Sequence, residues 1–523
     1  MFRDKDFDIN AEPCFNKDVL NADLELETVI GAMAGDDKII RASCICALFS
    51  PLTDEDAIRY RQQIVRDALR NPDVVRKMYA VTVETEKRRR DSWCWVSTRA
   101  PLSSNYTHAI EFLRLYMDML MQLRSASENR LSDFHSEGFI NLFTMFQNEL
   151  SDEYFAEVHS HLDALKENDG ILISAEPGNY LQGVDYVLRR KKRKGFWRRW
   201  YFAPSFSLAP RDDAGAIDLE KRRERAINDI TNALAQSAEH LSGFFDMLRR
   251  ELAFYVGCIN LADKLHGIGM PLCIPDISPA SSRSRSWDGL YDISLALIKN
   301  SAVTGNTFKA DNRLLYLITG ANQGGKSTFL RSIGQSQLMA QSGMFVCASA
   351  FSVPIRNGIF SHFKKEEDTA LKSGKLDEEL SRMDEIADRL EKDSLMLFNE
   401  SFAATNEREG SEICRQITKA LIENGVEVFS VTHLYTYAVS FRGSSAAQFL
   451  RAQRLENGER TFRLVPGEPM QTAFGEDIYR KIFGKTDSCK TDTGADNETG
   501  TGADTGANTR TDAGKSALPA QKR

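Results

Sequence analysis

The chain has 523 residues, 42% of them apolar and 27% charged, and a formal net charge of −7. That length exceeds one ordinary hydrophobic core, so two or three domains are expected. The acidic balance excludes a general polycation, and a nucleic-acid partner would have to meet a local basic patch.

The N-terminus, "MFRDKDFDINAEP", is charged and carries no apolar segment of signal-peptide type. No run approaches the roughly 18 apolar residues of a membrane helix. A soluble, cytoplasmic protein without a membrane partner is the expectation. From about residue 23 to 167 apolar residues recur at three- and four-residue spacing, which predicts helices. "HAIEFLRLYMDMLMQL" (108–123) is apolar around most of its circumference, as in a helix packed on several neighbours. In "SPLTDEDAIRYRQQIVRDAL", Thr53 or Asp54 can cap a helix whose first turn is acidic. Cys44 and Cys46 form a C-x-C with no second pair at metal-binding spacing. They and the other cysteines, nine in all, read as buried thiols in a reducing compartment.

"GILISAEPGNYLQGVDYVL" (170–188) changes texture to short β-branched runs broken by Gly and Pro, predicting strands and turns. "RRKKRKGFWRRW" (189–200) then places eight basic residues in twelve. Residues 218–266 return to a helical pattern, either one long strut or two helices broken near Gly243. The Pro-, Ser- and Gly-rich stretch 267–289 resembles a linker. Beyond it, "LLYLITG", "GMFVCAS", "SLMLFNE" and "VEVFSVTH" alternate with helical segments, the rhythm of an α/β domain with a mostly parallel sheet. Residues 486–523 repeat T-G-A with almost no large apolar side chain and are expected to be disordered.

Chemistry concentrates in the α/β part. Gly320, Gly325, Lys326 and Ser327 fit G-x-x-x-x-G-K-S between a strand and a helix. Glycines let backbone N–H groups wrap phosphates, Lys326 reaches the β and γ phosphates, and Ser327 offers a hydroxyl to Mg2+. "SLMLFNES" ends a second apolar strand in Asn399 and Glu400. Glu400 is placed to polarise an attacking water. Asn399 stands where a magnesium-shell aspartate is usual, which predicts weaker metal binding and slower turnover. A third strand ends in Thr432 and His433; such a His is by itself more often structural, but beside the other two motifs it reads as a γ-phosphate sensor.

These residues resemble the MutS family of DNA mismatch repair ATPases. "ITGANQGGKSTFLRSIG" is similar to that family's P-loop, "SLMLFNESFAATNEREG" to its LDE segment, "SVTHLYTYA" to its ATH switch, and "LVPGEPMQTAFGEDIYRKIFG" to its closing motif. Upstream, "SPLTDEDAIRYRQQIV" and the helix ending in "MPLCIPDI" are similar to its lever helices, so the resemblance covers about 20–485. It implies an all-α lever and core region with a small β-rich basic insert, followed by an α/β ABC-type P-loop ATPase. The expected divisions are 1–22, 23–277 with the insert at about 170–210, 278–485, and the tail 486–523. It further implies ATP and Mg2+ as cofactors, a homodimer formed through the ATPase, and a DNA partner that is mismatched, branched or single-stranded. ATP contacts would come from Gly320, Ala321, Asn322, Gln323, Gly324, Gly325, Lys326, Ser327, Thr328 and Asn306, and the metal would meet Ser327 and Asn399. Glu400, Lys326 and His433 would carry catalysis.

Departures from the family pattern sharpen these expectations. Val303 replaces the aromatic that stacks on adenine, and "SGKLD" (373–377) replaces the loop that meets the partner's γ phosphate, leaving Ser373 and Lys375 in its place. No N-terminal mismatch reader, full helix-turn-helix extension or nuclease domain is recognisable. DNA contact is therefore expected from the insert, through Arg189, Arg190, Lys191, Lys192, Arg193, Lys194, Arg198 and Arg199, with Phe196, Trp197, Trp200 and Tyr201 able to stack on bases. A scaffold that binds ATP with little turnover and holds a protein partner is the alternative.

Overall fold

A computed structural model of the chain describes residues 2–93, 102–166, 172–189, 206–365, 374–455 and 459–470. The N-terminal half is helical: α1 (Lys17–Asp23), α2 (Leu26–Ala34), α3 (Lys38–Phe49), α4 (Glu55–Arg70), α5 (Pro72–Trp93), α6 (Leu102–Ser127), α7 (Glu137–Glu149) and α8 (Asp152–Ala164). Asp54 caps α4 by accepting from the Ala57 N–H at 3.0 Å, one of the two caps expected. A hairpin follows, β1 (Leu172–Pro177) paired antiparallel with β2 (Gly183–Arg189), where the β-branched runs predict it.

The open choice at Gly243 resolves to a single helix. Helix α9 (Asp213–Gly267) runs unbroken for 55 residues. A glycine in a helix interior costs only about 1 kcal/mol relative to alanine, and packing overrides it. The C-terminal part of α9 is buried, including Leu252, Tyr255, Cys258 and Leu265, and it packs on α2, α3, α4, α5 and α6. Cys44 and Cys258 are both fully buried, and burial pushes both thiols up, consistent with structural thiols.

The linker-like stretch is partly ordered into sheet. β3 (Asp276–Ser278) and β4 (Ser284–Leu290) lie in it and join β5 (Asn306–Asp311) and β7 (Ala350–Pro354) in a four-stranded sheet ordered β3-β7-β4-β5. Trp287 explains this: it stacks on Phe308 at 5.0 Å and Phe351 at 5.9 Å, so an apolar anchor outweighs the Ser-rich flanks. Conversely, the run "GMFVCAS" forms only a bridge between Cys273 and Val346, because its residues are buried in a turn out of α11 (Lys326–Gln341) rather than laddered.

The larger sheet contains β6 (Leu315–Thr319), β8 (Ile359–Phe363), β9 (Leu395–Asn399), β10 (Glu427–Val431), β11 (Ala447–Arg454) and β12 (Arg460–Pro466), in the order β12-β11-β6-β10-β9-β8. All pairs are parallel except β11 with β12. Both faces are covered, as a parallel sheet requires. Tyr316, Ile318 and Val431 bury into the core shared with the helical half. Leu315, Leu317 and Phe398 bury under α12 (Lys375–Ala387), α13 (Glu407–Glu423) and α14 (Tyr435–Val439). The remaining helix, α10 (Ile293–Lys299), is capped by Asp292. An all-α region followed by a P-loop-type α/β region is therefore the architecture.

Helix α11 ties the two regions together. Gln335 donates to the Leu24 carbonyl at 2.9 Å and Gln341 to that of Leu52 at 3.0 Å, and the Ser342 hydroxyl donates to the Ala47 carbonyl at 2.9 Å. Arg331 pairs with Glu25 and with Asp292. A second tie is buried between the sheets, where Arg285 of β4 and Arg356 both pair with Glu427 of β10, the latter at 2.9 Å, all three 1% exposed.

Candidate functional site

Strands β6, β9 and β10 lie side by side, with Val431 in register with both Ile318 and Asn399. Their C-terminal ends therefore deliver three loops to one place, the position where parallel sheets bind ligands. The loop after β6 is the Gly-rich turn 320–325. Gly320 has φ +116° and its Cα approaches Ala452 of β11 so closely that a Cβ would meet the Ala452 nitrogen at 2.9 Å. Gly325 has φ +88° and serves as the N-cap of α11 without any side-chain acceptor. The first-turn N–H groups of α11, at Lys326, Ser327 and Thr328, are thus presented at a positive helix end with no protein side chain capping them. Asn322 and Gln323 are exposed on the rim.

Lys326 is buried to 5% exposure, and its ammonium donates to the carbonyls of Gly320 at 3.0 Å and Ala321 at 3.1 Å. Burial pulls its pKa down to about 8; the Glu400 carboxylate opposes that shift and Arg460 adds to it. The Ser327 hydroxyl donates to Asn399 Oδ1 at 2.9 Å. These two hard oxygens fit one side of a Mg2+ shell, though both are neutral. Among the described residues no group of three or more His, Cys, Asp or Glu side chains could hold a metal alone. A cation here would share its shell with phosphate oxygens.

Glu400 sits at φ +53° just beyond β9, its N–H donating to the Val431 carbonyl at 2.9 Å. His433 Nε2 lies 2.6 Å from Glu400 Oε1. That hydrogen bond holds the carboxyl below its usual pKa against the opposing effect of burial, with Lys326 and Lys364 contributing charge. The structure thus brings Lys326, Ser327, Asn399, Glu400 and His433 together. Asn306 joins only indirectly: its Oδ1 accepts from Leu464 N–H at 2.7 Å and its Nδ2 faces the Phe462 carbonyl at 3.5 Å. Val303 packs half-buried against the core.

Three neighbours escape sequence reasoning. Phe462 of β12 has φ +58°, is 52% exposed, and its backbone lies 3.5 Å from where a Gly325 Cβ would stand. Arg460 donates to Gln323 Oε1 at 3.2 Å. Lys364, whose N–H donates to the Asn399 carbonyl at 3.0 Å, follows β8 directly. None sits in a motif; only the pairing of β12 beside β11, and of β8 beside β9, brings them to the loop. Of the insert, Arg189 ends β2 and donates to Ser174 Oγ at 2.9 Å. The other basic candidates, Arg190 to Arg199, lie outside the described residues, as do Ser373 and the tail; Lys375 opens α12. No helix among the described residues is long and apolar enough to cross a membrane.

Two stretches of the chain match known protein families. Residues 53–268 match the MutS2 N-terminal domain family and residues 316–465 match MutS domain V. Endonuclease MutS2 of Thermus thermophilus is 32% identical over 167 residues, 31% of this chain and 22% of that protein. MutS protein homolog him-14 of Caenorhabditis elegans is 28% identical over 209 residues, 39% of this chain and 24% of that protein. DNA mismatch repair protein MutS of Thermotoga neapolitana is 34% identical over 131 residues, 25% of this chain and 16% of that protein. The chain therefore aligns with only a minor part of each relative's length. By its MutS2-type helical region and its MutS-type ATPase domain, the chain is homologous to the MutS/MutS2 superfamily.

Proposed function

We propose that this protein is an ATP-dependent DNA-binding protein of the MutS type, in which nucleotide state at the loop 320–325 moves the helical region and alters its grip on DNA. The observation that carries the reading is the convergence of Lys326, Ser327, Asn399, Glu400 and His433 at the ends of three adjacent parallel strands. In this reading the α11 amides and Lys326 bind the β and γ phosphates, and Ser327 and Asn399 hold Mg2+. Bound there, the metal would neutralise phosphate charge. Glu400 orients and polarises the attacking water, and His433, hydrogen-bonded to it, senses the γ phosphate. Phe462 supplies the face for the adenine that Val303 cannot.

The four-way division at 22, 277 and 485 is part of the same proposal, as are a homodimer through the ATPase, mismatched or branched DNA as ligand, and contact through residues 189–199. Binding of ATP, and hydrolysis with and without homoduplex, mismatched and branched DNA, tests it. Absence of any nucleotide affinity in the presence of Mg2+ overturns it. A second reading, a nucleotide-gated scaffold with little turnover, is favoured by one observation: the residue facing Ser327 is a neutral amide rather than a carboxylate. Turnover that stays near zero with every DNA, alongside tight ATP binding, would select it.

A further inference from the structure

Glu400 does not stand on a regular element. It belongs to a turn, residues 400–402, in which Glu400 and Phe402 both adopt left-handed backbone, φ +53° and +56°. Non-glycine residues in that region cost of order 1 kcal/mol each and persist only where surrounding contacts hold them. The contacts here converge on His362, in β8, a residue no motif singles out. Its ring is fully buried and stacks on Phe402, centroids 5.1 Å apart and planes 17° from parallel. Nδ1 lies 2.8 Å from the Ser401 hydroxyl oxygen, which is also 2.6 Å from the His362 carbonyl oxygen, so the one Ser401 proton is shared between two acceptors on His362. Nε2 lies 3.0 Å from the Glu379 carbonyl on α12.

A carbonyl oxygen only accepts, so Nε2 carries the proton and Nδ1 offers its lone pair to Ser401. Burial, reinforced by Arg382 and Lys365, lowers the ring's pKa to about 4 and keeps it neutral. The imidazole therefore has one fixed tautomer, with one nitrogen on the catalytic turn and the other on α12.

We propose that His362 is a positioning residue for ATP hydrolysis: through Ser401 and Phe402 it fixes the turn that aims Glu400, and through Glu379 it couples that turn to α12. The coupling is functional rather than decorative because α12 begins at Lys375, within the segment 373–377 that stands where the family has its partner-facing loop. A displacement of α12 then reaches Glu400 through a single rigid ring. This rests on Glu400 being the residue that activates water.

The test is a cycle of turnover measurements on the full chain with Mg2+ and ATP, each paired with the affinity of a fluorescent ATP analogue. His362→Gln keeps a donor for Glu379 but withdraws from Ser401; His362→Asn keeps the Ser401 side; Ser401→Ala removes the hydroxyl with the least disturbance to packing. His362→Gln and Ser401→Ala are expected to lower kcat about tenfold with nucleotide affinity within about twofold, and His362→Asn to recover most of the loss. In a Glu400→Gln background the same changes should lower kcat no further. If Glu400→Gln is slow while His362→Gln and Ser401→Ala turn over like the parent, the positioning role is overturned and the Glu400 reading stands. Equal loss in both backgrounds overturns it as well. A Glu400→Gln protein as fast as the parent overturns the Glu400 reading itself, and this proposal with it.

Discussion

His433 Nε2 and Glu400 Oε1 are 2.6 Å apart although they follow different strands, 33 residues apart in sequence. A carboxylate held charged by an imidazole can orient water, and in the proposed function it is coupled to the γ phosphate through His433. Replacing Glu400 with Gln keeps the shape and removes the charge. Hydrolysis should fall by about two orders of magnitude or more, while ATP binding survives. Single-turnover hydrolysis and equilibrium binding of the same preparation check both halves.

Lys326 leads to a pH prediction. Its pKa of about 8 means the ammonium is charged below that pH and increasingly neutral above it. Phosphate favours the charged form, so nucleotide affinity should weaken as pH rises past about 8. Binding above that point should be accompanied by proton uptake, measurable by calorimetry in buffers of different ionisation enthalpy. Lys326→Ala should abolish both binding and the uptake.

Phe462 offers an exposed ring beside Gly325. Phe462→Ala should lower adenine-nucleotide affinity by about 0.5–1.5 kcal/mol, with Phe462→Trp retaining it. Inorganic triphosphate, which has no base to stack, should bind both variants like the parent. An equal loss for triphosphate would place the defect in the loop backbone instead.

Glu427 is shared by two buried guanidiniums, and among the described residues Nε and Nη1 of Arg285 and of Arg356 have no hydrogen-bond partner. Removing the carboxylate takes away the counter-charge that both buried guanidiniums share. Glu427→Gln should therefore destabilise the ATPase region by about 3–5 kcal/mol, read by denaturant unfolding. A well-folded, equally stable variant would mean that water reaches the pair.

For the basic insert, substitution of residues 189–194 by Ser should weaken DNA binding and flatten its dependence on salt. Every DNA phosphate deprived of its neutralising cation takes about 0.9 off the slope of log affinity against log salt. An unchanged slope would take the insert out of the interface.

Sequence patterning revealed much of this architecture because its signals are local. The P-loop spacing, the apolar run before Asn399 and the strand before His433 each announce themselves within a dozen residues. Helical periodicity likewise located α4, α6 and α9. What stayed hidden depends on distant pairing. Phe462 reaches Gly325 only because β12 caps the sheet beside β11, and His362 reaches Ser401 only because β8 lies beside β9. Trp287 turned a Ser-rich linker into sheet by packing on Phe308 and Phe351, which no window around residue 287 contains.

The unbroken helix α9 has the proportions of a cantilever. At about 1.5 Å per residue its 55 residues reach about 80 Å, so a tilt of ~5° at the C-terminal end sweeps the N-terminal end, and the β2 and α6 residues packed on it, through ~7 Å. Its root is seated among α2, α3, α4 and α5, and α11, whose opening residues face the phosphate loop, bonds to the carbonyls of Leu24, Ala47 and Leu52 around α2 and α3. If the proposed function holds, sub-ångström adjustments at a bound nucleotide would be geared up to several ångströms at the far end, without any joint along the shaft having to bend.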